Sequence, residues 1–290
     1  MIVPVVTRFA PSPTGLLHTG HAFSALFAYE SARRSKGQLI LRIEDLDFTR
    51  CRPEFETALQ EDLTWLEITW KLPVRRQSVH LSDFAAAADS LQQQDLLYPC
   101  FCTRKDIQQE INAAAAAPHG PDGPIYPGTC KHLSPSERDD RIAAGQPFAL
   151  RLNLEKAVRI TGSELKWRDL TKGWQTARPE IFGDIVLIRK DIGSSYHLAV
   201  VHDDALQGVT LVTRGMDLFS ATHIQRVLQS LLGLPTPEYH HHQLICDHNG
   251  KRLAKRDDAE SLRSLRERGI TANELRARLF AEMSQTSEFC

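Results

Sequence analysis

The feature that most constrains the fold is an alternation of strand-like and helix-like segments over the first 97 residues. Val3 to Phe9 is a short apolar strand, Pro11 to Gly20 is a loop broken by proline and glycine, and Ala22 to Ser35 has helical periodicity. Gln38 to Ile43 reads as a second strand. Pro53 to Leu66 is an amphipathic helix with proline at its start, and Val79 to Leu97 is a further helix. Strands alternating with helices point to a parallel α/β sheet.

From Tyr98 the pattern changes. Residues 98–177 hold a cysteine cluster, an alanine run (Ala113 to Ala117) leading into the turn-rich Pro118 to Pro124, and short strand-like pieces such as Phe148 to Leu154. This segment reads as a small insertion. The α/β pattern returns over 178–234, with strands at Asp184 to Lys190, Tyr196 to Asp203 and Val209 to Thr213 and a helix from Ser220 to Leu232. Residues 235–290 carry one strand, a basic loop and two short charged helices, Leu262 to Arg268 and Ala272 to Met283.

Composition narrows the class. With 290 residues, 42% hydrophobic and 24% charged, the chain is an ordinary globular one, which excludes a disordered chain, a collagen or a small disulfide scaffold. Its 35 Lys+Arg nearly cancel 36 Asp+Glu, so any polyanionic partner must be held by a local patch. No apolar run approaches the roughly 20 residues that span a bilayer, and Met1 to Val6 reads as a strand rather than a signal peptide. The six cysteines are few, and Cys100 and Cys102 are too close for a strainless disulfide. A reduced, cytoplasmic protein is expected.

The first chemical signal is Pro11-Ser12-Pro13-Thr14-Gly15-Leu16-Leu17-His18-Thr19-Gly20-His21, placed after a strand and at the opening of a helix. An α/β sheet presents ligand sites there, and a helix start offers unpaired N–H groups to phosphate. Gly15 and Gly20 let the backbone approach closely, while His18 and His21 can donate to phosphate oxygens as charge develops. The segment is neither of the common glycine-rich nucleotide fingerprints. A second loop, Asn249-Gly250-Lys251-Arg252-Leu253-Ala254-Lys255-Arg256, packs four cations around a turn after the strand His240 to Cys246. Charge alone would make it a solvated loop.

Arg8-Phe9-Ala10-Pro11-Ser12-Pro13-Thr14-Gly15 followed by His18-Thr19-Gly20-His21 resembles the first signature of class I aminoacyl-tRNA synthetases in its glutamate-specific form. The resemblance continues through Arg42-Ile43-Glu44-Asp45-Leu46-Asp47, Tyr196-His197-Leu198-Ala199 with Asp203-Asp204, and Arg214-Gly215-Met216-Asp217-Leu218, and it ends on Arg252-Leu253-Ala254-Lys255-Arg256 as the second signature. It implies a Rossmann-type parallel sheet in two halves, 1–97 and 178–234. The insertion 98–177 binds zinc, and 235–290 forms the second-signature loop and a short helical tail. It also implies ATP with Mg²⁺, L-glutamate and tRNA as partners of a monomeric ligase.

The same resemblance implies site residues. Arg8 and Arg214 hold the glutamate side-chain carboxylate, as bidentate arginine can. Glu44 takes the α-ammonium, and Ala10, Ser12 and Tyr196 line the pocket. His18, His21 and Lys255 hold the ATP phosphates and stabilise them during transfer. The second signature departs from the Lys-Met/Leu-Ser-Lys pattern, with Arg252 for the first lysine and Ala254 for serine. Arg252 keeps the charge but not the ammonium geometry.

Cys100, Cys102 and Cys130 supply three thiolates suited to a structural Zn²⁺, and a fourth ligand is needed. Chemistry alone favours His132; the resemblance favours Tyr126, whose phenol would ionise on the metal. Cys51, Cys246 and Cys290 read as buried structural cysteines. In Tyr239-His240-His241-His242 only His240 and His242 share a strand face, so the run reads as a strand and not a metal tract.

Only 34 residues follow Arg256, too few for the helical anticodon-reading extension of full-length glutamate enzymes. Val200 stands where those enzymes carry Asn. The resemblance is therefore to the short branch, and it implies transfer of glutamate to queuosine in the anticodon of tRNA(Asp). Arg33, Arg34, Lys36, Arg75 and Arg76 are candidates for backbone contacts. The alternatives are a truncated enzyme charging tRNA(Glu) and an inactive paralogue that only binds tRNA.

Overall fold

Strand β1 (Val6–Phe9) runs through the Pro/Gly loop into helix α1 (Thr19–Arg34), which returns the chain to β2 (Gln38–Ile43), parallel to β1. The computed structural model describes residues 4–113, 119–244 and 260–285. Gly37 makes the return possible: a Cβ there would lie 1.9 Å from the Val5 carbonyl oxygen. Helix α2 (Pro53–Trp65) crosses over to β3 (Lys71–Arg76), which pairs in parallel with β2. β3 is missing from the elements expected from sequence. It is an exposed edge strand with Pro73 in its middle, so it carries no alternation of apolar residues.

Helix α3 (Leu81–Gln93) stops short of the expected Leu97, because Asp95 turns the chain at φ 55° and β4 (Leu97–Cys100) begins. Next come α4 (Arg104–Ala113), the hairpin β5 (His119–Gly120) and β6 (Gly123–Pro124), α5 (Pro135–Ala143), β7 (Ala149–Leu152) and α6 (Leu154–Thr161). They lead to the antiparallel pair β8 (Lys166–Asp169) and β9 (Gly173–Thr176), then β10 (Val186–Ile188). β4, β7 and β10 form a separate antiparallel sheet in the order β10-β7-β4.

The segment Tyr196 to Asp203, expected as a strand, is instead helix α7 (Tyr196–Leu206). Ser195 caps it, accepting from the Leu198 N–H. Leu198, Ala199, Val200 and Val201 are all buried, so this apolar run has no periodicity that separates helix from strand. Then follow β11 (Leu211–Gly215), α8 (Ala221–Leu231) and β12 (Glu238–His242). Two tail helices complete the described chain, α9 (Leu262–Glu267) and α10 (Ala272–Gln285).

β11 and β12 are parallel, and β12 pairs in parallel with β8. β8 and β9, inside the segment 98–177, thus extend the main sheet. The two halves meet where β1 lies beside β11: the Thr210 N–H donates to the Val6 carbonyl at 3.0 Å, and the Val6 N–H donates to Thr210 Oγ1 at 2.9 Å. The strands therefore run β3-β2-β1-β11-β12-β8, with the order reversing at β1/β11. Such a switch point opens a crevice at the carboxyl ends of its strands.

Two apolar cores flank this line. One gathers Phe23, Leu26 and Phe27 of α1 with Leu59 and Leu63 of α2 and Leu262, Leu265, Leu275 and Leu279 of the tail helices. The other joins α3, α7 and α8 through Phe84, Leu91, Leu198, Ile224 and Leu228. The tail is thereby anchored to the first half of the sheet, and Phe9 and Phe23 of that core also line the crevice.

Candidate active site

A crevice of about 490 Å³ opens at the carboxyl ends of β1 and β11. It brings together Arg8, Ala10, Ser12, His18, His21, Glu44, Tyr196 and Arg214, eight of the residues expected from sequence. Lys255 and the second-signature loop lie outside the described residues. The flanks of that loop are described. Leu244 lines the crevice on one side, and on the other Ser261 bridges to His18 while the Leu262 N–H donates to the Leu17 carbonyl at 2.8 Å.

His18 caps α1. Its Nδ1 accepts from the Gly20 N–H at 3.1 Å, and His21 Nδ1 accepts from the His18 N–H at 3.3 Å. These reciprocal bonds satisfy two helix-start donors. They also set both tautomers: with Nδ1 accepting, each neutral ring carries its proton on Nε2. The rings stand 3.9 Å apart between centroids, beside the positive end of a 16-residue helix. Two N–H donors thus stand at the N-terminus of α1, at one end of the crevice.

A buried charge network forms its floor. Arg42 on β2 is fully buried; its Nη2 lies 3.1 Å from Glu44 Oε1 and its Nη1 2.8 Å from Asp204 Oδ1. Arg8 on β1 reaches the same Asp204 oxygen through Nε at 3.3 Å and donates from Nη1 to the Thr213 carbonyl at 2.8 Å. Burial opposes the Arg42 charge, yet Asp204, Glu44 and Asp203 outweigh it and raise its pKa. Burial raises the Glu44 pKa, and Arg42 and Arg8 pull against that. Glu44 is thus a carboxylate whose charge depends on its arginine neighbour.

Arg214 on β11 is only 5% exposed, and its hydrogen-bond partners are neutral. Nε donates to His241 Nε2 at 3.0 Å, Nη1 to Gln225 Oε1 at 2.9 Å and to Tyr196 Oη at 3.4 Å, and Nη2 to Thr222 Oγ1 at 2.6 Å. Among the described residues no carboxylate pairs with it. Arg8, Arg42 and Arg214 stand with Glu44, Asp204 and the crevice-lining Asp217, three guanidiniums and three carboxylates, and of the three arginines only Arg214 has no carboxylate partner among the described residues. A buried guanidinium held only by neutral groups is costly, and a carboxylate bound beside Arg214 would offset that cost.

The cysteine cluster lies within residues 98–177, ahead of β8. The Sγ atoms of Cys100, Cys102 and Cys130 all lie within 4.8 Å of one another. Tyr126 Oη is 3.6 Å from Cys102 Sγ and accepts from the Cys130 N–H at 2.8 Å. His132 does not join the cluster. Gly128, at φ 92°, makes the left-handed turn that carries Cys130 back toward Cys100. Burial pushes the Cys102 thiol up to about 11 and raises the Tyr126 phenol. Three buried or half-buried sulfurs and a phenol oxygen fit a soft divalent ion.

Residues 4–290 match the family of class I tRNA synthetases (E and Q), catalytic domain. The chain belongs to this family. Among class I synthetase relatives, it is 49% identical over 280 residues to the glutamyl-Q tRNA(Asp) synthetase of Rhodobacter capsulatus, covering 94% of this chain and 98% of that one. It is 40% identical to glutamate–tRNA ligase 2 of Nitrosococcus oceani, over 91% of this chain and 56% of that protein. A solved glutamate tRNA ligase from Elizabethkingia meningosepticum, in complex with its amino acid, superposes with a TM-score of 0.73 at 26% identity, covering 88% of this chain and 52% of that one. The chain therefore spans about half the length of that solved ligase.

Several residues of this class I site escape a motif reading. Arg42 and Asp204 occur within the quoted motifs, but their pairing across 162 positions depends on strand order. His241, Thr222 and Gln225 around Arg214 carry no local signal beyond the histidine run. That run does alternate as a strand should. His240 and His242 pack on Phe27 and Phe23 of α1, while His241 points the other way. Among the described residues no helix is long and apolar enough to cross a membrane.

Proposed function

We propose that the protein activates L-glutamate with ATP and transfers it to queuosine in the anticodon of tRNA(Asp). The observation that carries the amino-acid half of this reading is Arg214: a buried guanidinium, hydrogen-bonded only to neutral groups, lining the same crevice as the carboxylate Glu44. L-Glutamate supplies two carboxylates and one ammonium. One carboxylate meets Arg214, with Arg8 nearby, and the ammonium meets Glu44. The ligand carboxylate gives Arg214 the anionic partner it lacks among the described residues.

The remaining α-carboxylate is then the nucleophile, attacking the α-phosphorus of ATP and releasing pyrophosphate. The residues contribute by positioning and by meeting developing charge. His18 and His21 donate from Nε2 toward phosphate oxygens, and Lys255 neutralises the leaving pyrophosphate. ATP arrives with Mg²⁺, which shares the phosphate charge. Glutamyl-adenylate is the activated product, and its acyl group passes to the tRNA with release of AMP. The choice of queuosine-bearing tRNA(Asp) is supported by the Rhodobacter relative, which this chain matches over 98% of its length. In the insertion, Cys100, Cys102, Tyr126 and Cys130 hold Zn²⁺, which cross-links the segment and stabilises its fold.

The deciding assay uses purified protein, ATP and labelled L-glutamate, with queuosine-containing tRNA(Asp) or tRNA(Glu) supplied separately. Label on tRNA(Asp) alone is expected. Label on tRNA(Glu) supports charging of that tRNA instead and sinks the queuosine reading. Glutamate-dependent exchange of pyrophosphate into ATP without tRNA is expected as well, and its absence would leave only tRNA binding.

A further inference from the structure

Behind Arg214 three side chains form a line across adjacent strands. Asp169 lies at the end of β8, His241 on β12 and Arg214 on β11, where Arg214 and His241 are register partners. Asp169 and His241 are both fully buried. Asp169 Oδ2 is 2.7 Å from His241 Nδ1 and also accepts the His241 N–H at 3.2 Å. Its other oxygen accepts the N–H groups of Thr171 and Lys172 at 3.0 and 2.9 Å. Asp169 is therefore a carboxylate held rigid by four donors.

Acceptor-only Asp169 requires a proton on His241 Nδ1. His241 Nε2 lies 3.0 Å from Arg214 Nε, and arginine has no acceptor, so Nε2 must present its lone pair. The imidazole is thus neutral and fixed in one tautomer. An imidazolium would face the guanidinium with an N–H against an N–H. Tyr239 stacks on His241 at an interplanar angle of 6°, and Trp167 and Phe219 meet the ring edge to face.

We propose that His241, held by Asp169, is a positioning residue for amino-acid recognition: its Nε2 lone pair accepts the Arg214 Nε–H and aims the rest of the guanidinium at the substrate carboxylate. The inference rests on glutamate as the amino acid. Burial independently favours the neutral ring, taking the His241 pKa down to about 4 against the pull of Asp169. The line is the counterpart of a metal-bound histidine oriented by a second carboxylate, with a guanidinium in place of the metal. It accounts for a buried carboxylate and imidazole that the activation chemistry never touches.

The test separates orientation from bulk structure. In His241→Asn the amide N–H₂ stays near the Nδ1 position and still reaches Asp169, but the Arg214 Nε–H loses its acceptor while its Nη bonds to Gln225, Tyr196 and Thr222 remain. In His241→Gln a carbonyl oxygen falls near the Nε2 position and accepts from it. Calorimetric titration with L-glutamate is expected to show affinity lowered about tenfold or more in His241→Asn and only about threefold in His241→Gln, with ATP affinity within about twofold in both. Equal losses in the two variants, or glutamate and ATP affinities falling together, overturn the proposal. Should His241→Asn not fold, ¹⁵N spectra of histidine-labelled wild-type protein decide. A neutral, Nδ1-protonated His241, assigned by its loss in His241→Gln, supports the line, and an imidazolium or the Nε2–H tautomer overturns it. Wild-type protein that binds no glutamate would defeat the glutamate reading, and the ¹⁵N spectrum would still judge the line.

Discussion

Replacing Arg42 with methionine tests the charge network directly. Arg42 is fully buried and holds two carboxylates, Glu44 at 3.1 Å and Asp204 at 2.8 Å, that are themselves only 11% and 10% exposed. Methionine fills similar volume but leaves both carboxylates short of a cation. Breaking a buried pair from one side costs about 3–5 kcal/mol, a large part of the roughly 5–15 kcal/mol that holds a domain together. Asp204 retains Arg8 at 3.3 Å, so the burden falls mainly on Glu44.

Burial already raises the Glu44 pKa, and Arg42 is the first of the groups opposing that rise. Without Arg42 the pKa climbs further. A carboxyl whose folded pKa lies above its unfolded value, about 4.3, contributes stability that is full below that value and is lost as pH rises through the folded pKa. Acidification within this window should therefore stabilise the variant relative to wild type. It should at the same time weaken glutamate binding, because a protonated Glu44 cannot balance an ammonium charge. Urea melts and glutamate titrations at a series of pH values measure the two trends. A stability loss under about 1 kcal/mol, or stability and binding moving in the same direction with pH, would refute the reasoning.

Other substitutions probe the remaining parts. Cys100→Ser should lower bound zinc, measured by elemental analysis, and loosen the insertion while glutamate affinity holds; retention of a full zinc equivalent removes Cys100 from the ligand set. His18→Ala should cost roughly 1 kcal/mol in thermal stability through the lost helix cap and should slow pyrophosphate exchange. An unchanged exchange rate would leave His18 a cap and nothing more. Lys255→Ala should reduce turnover while glutamate binding survives, and a parallel loss of both would place Lys255 elsewhere.

The legible part of this chain was local. The Pro/Gly loop between a strand and a helix, with His18 and His21 three apart, marked a helix start, and the two histidines do cap that helix. Glu44, Tyr196 and Arg214 were reachable through ordered motifs, and the crevice gathers them. Features that depend on strand order were not legible. Nothing near Arg42 announces Asp204, and nothing near Arg214 announces Asp169 two strands away. The α7 error has another origin. A segment buried on nearly all sides shows no amphipathic period, and only the Ser195 cap marks the helix start. β8 and β9 are the opposite case: Trp167 and Asp169 point inward between exposed Lys166, Arg168 and Leu170, with Gly173 at the turn, an alternation that was available to read.

The two halves of the sheet divide the recognition problem unequally. Arg42 and Glu44 on one side of the switch point neutralise each other, and Arg42 and Arg8 both tie to Asp204 of α7. Arg214 on the other side donates to neutral acceptors alone: an imidazole, an amide, a hydroxyl and a phenol. A paired cation such as Arg8 gains less from a new anion than an unpaired one, because part of its field is already spent on Asp204. Arg214 should therefore dominate discrimination between a carboxylate and an amide side chain, while Arg8 contributes more to the shape of the pocket. Glutamate and glutamine titrations on Arg8→Lys and Arg214→Lys give the comparison. Preference for glutamate should fall more in the Arg214 variant, and the reverse order would mean that Asp204 releases Arg8 when the substrate binds.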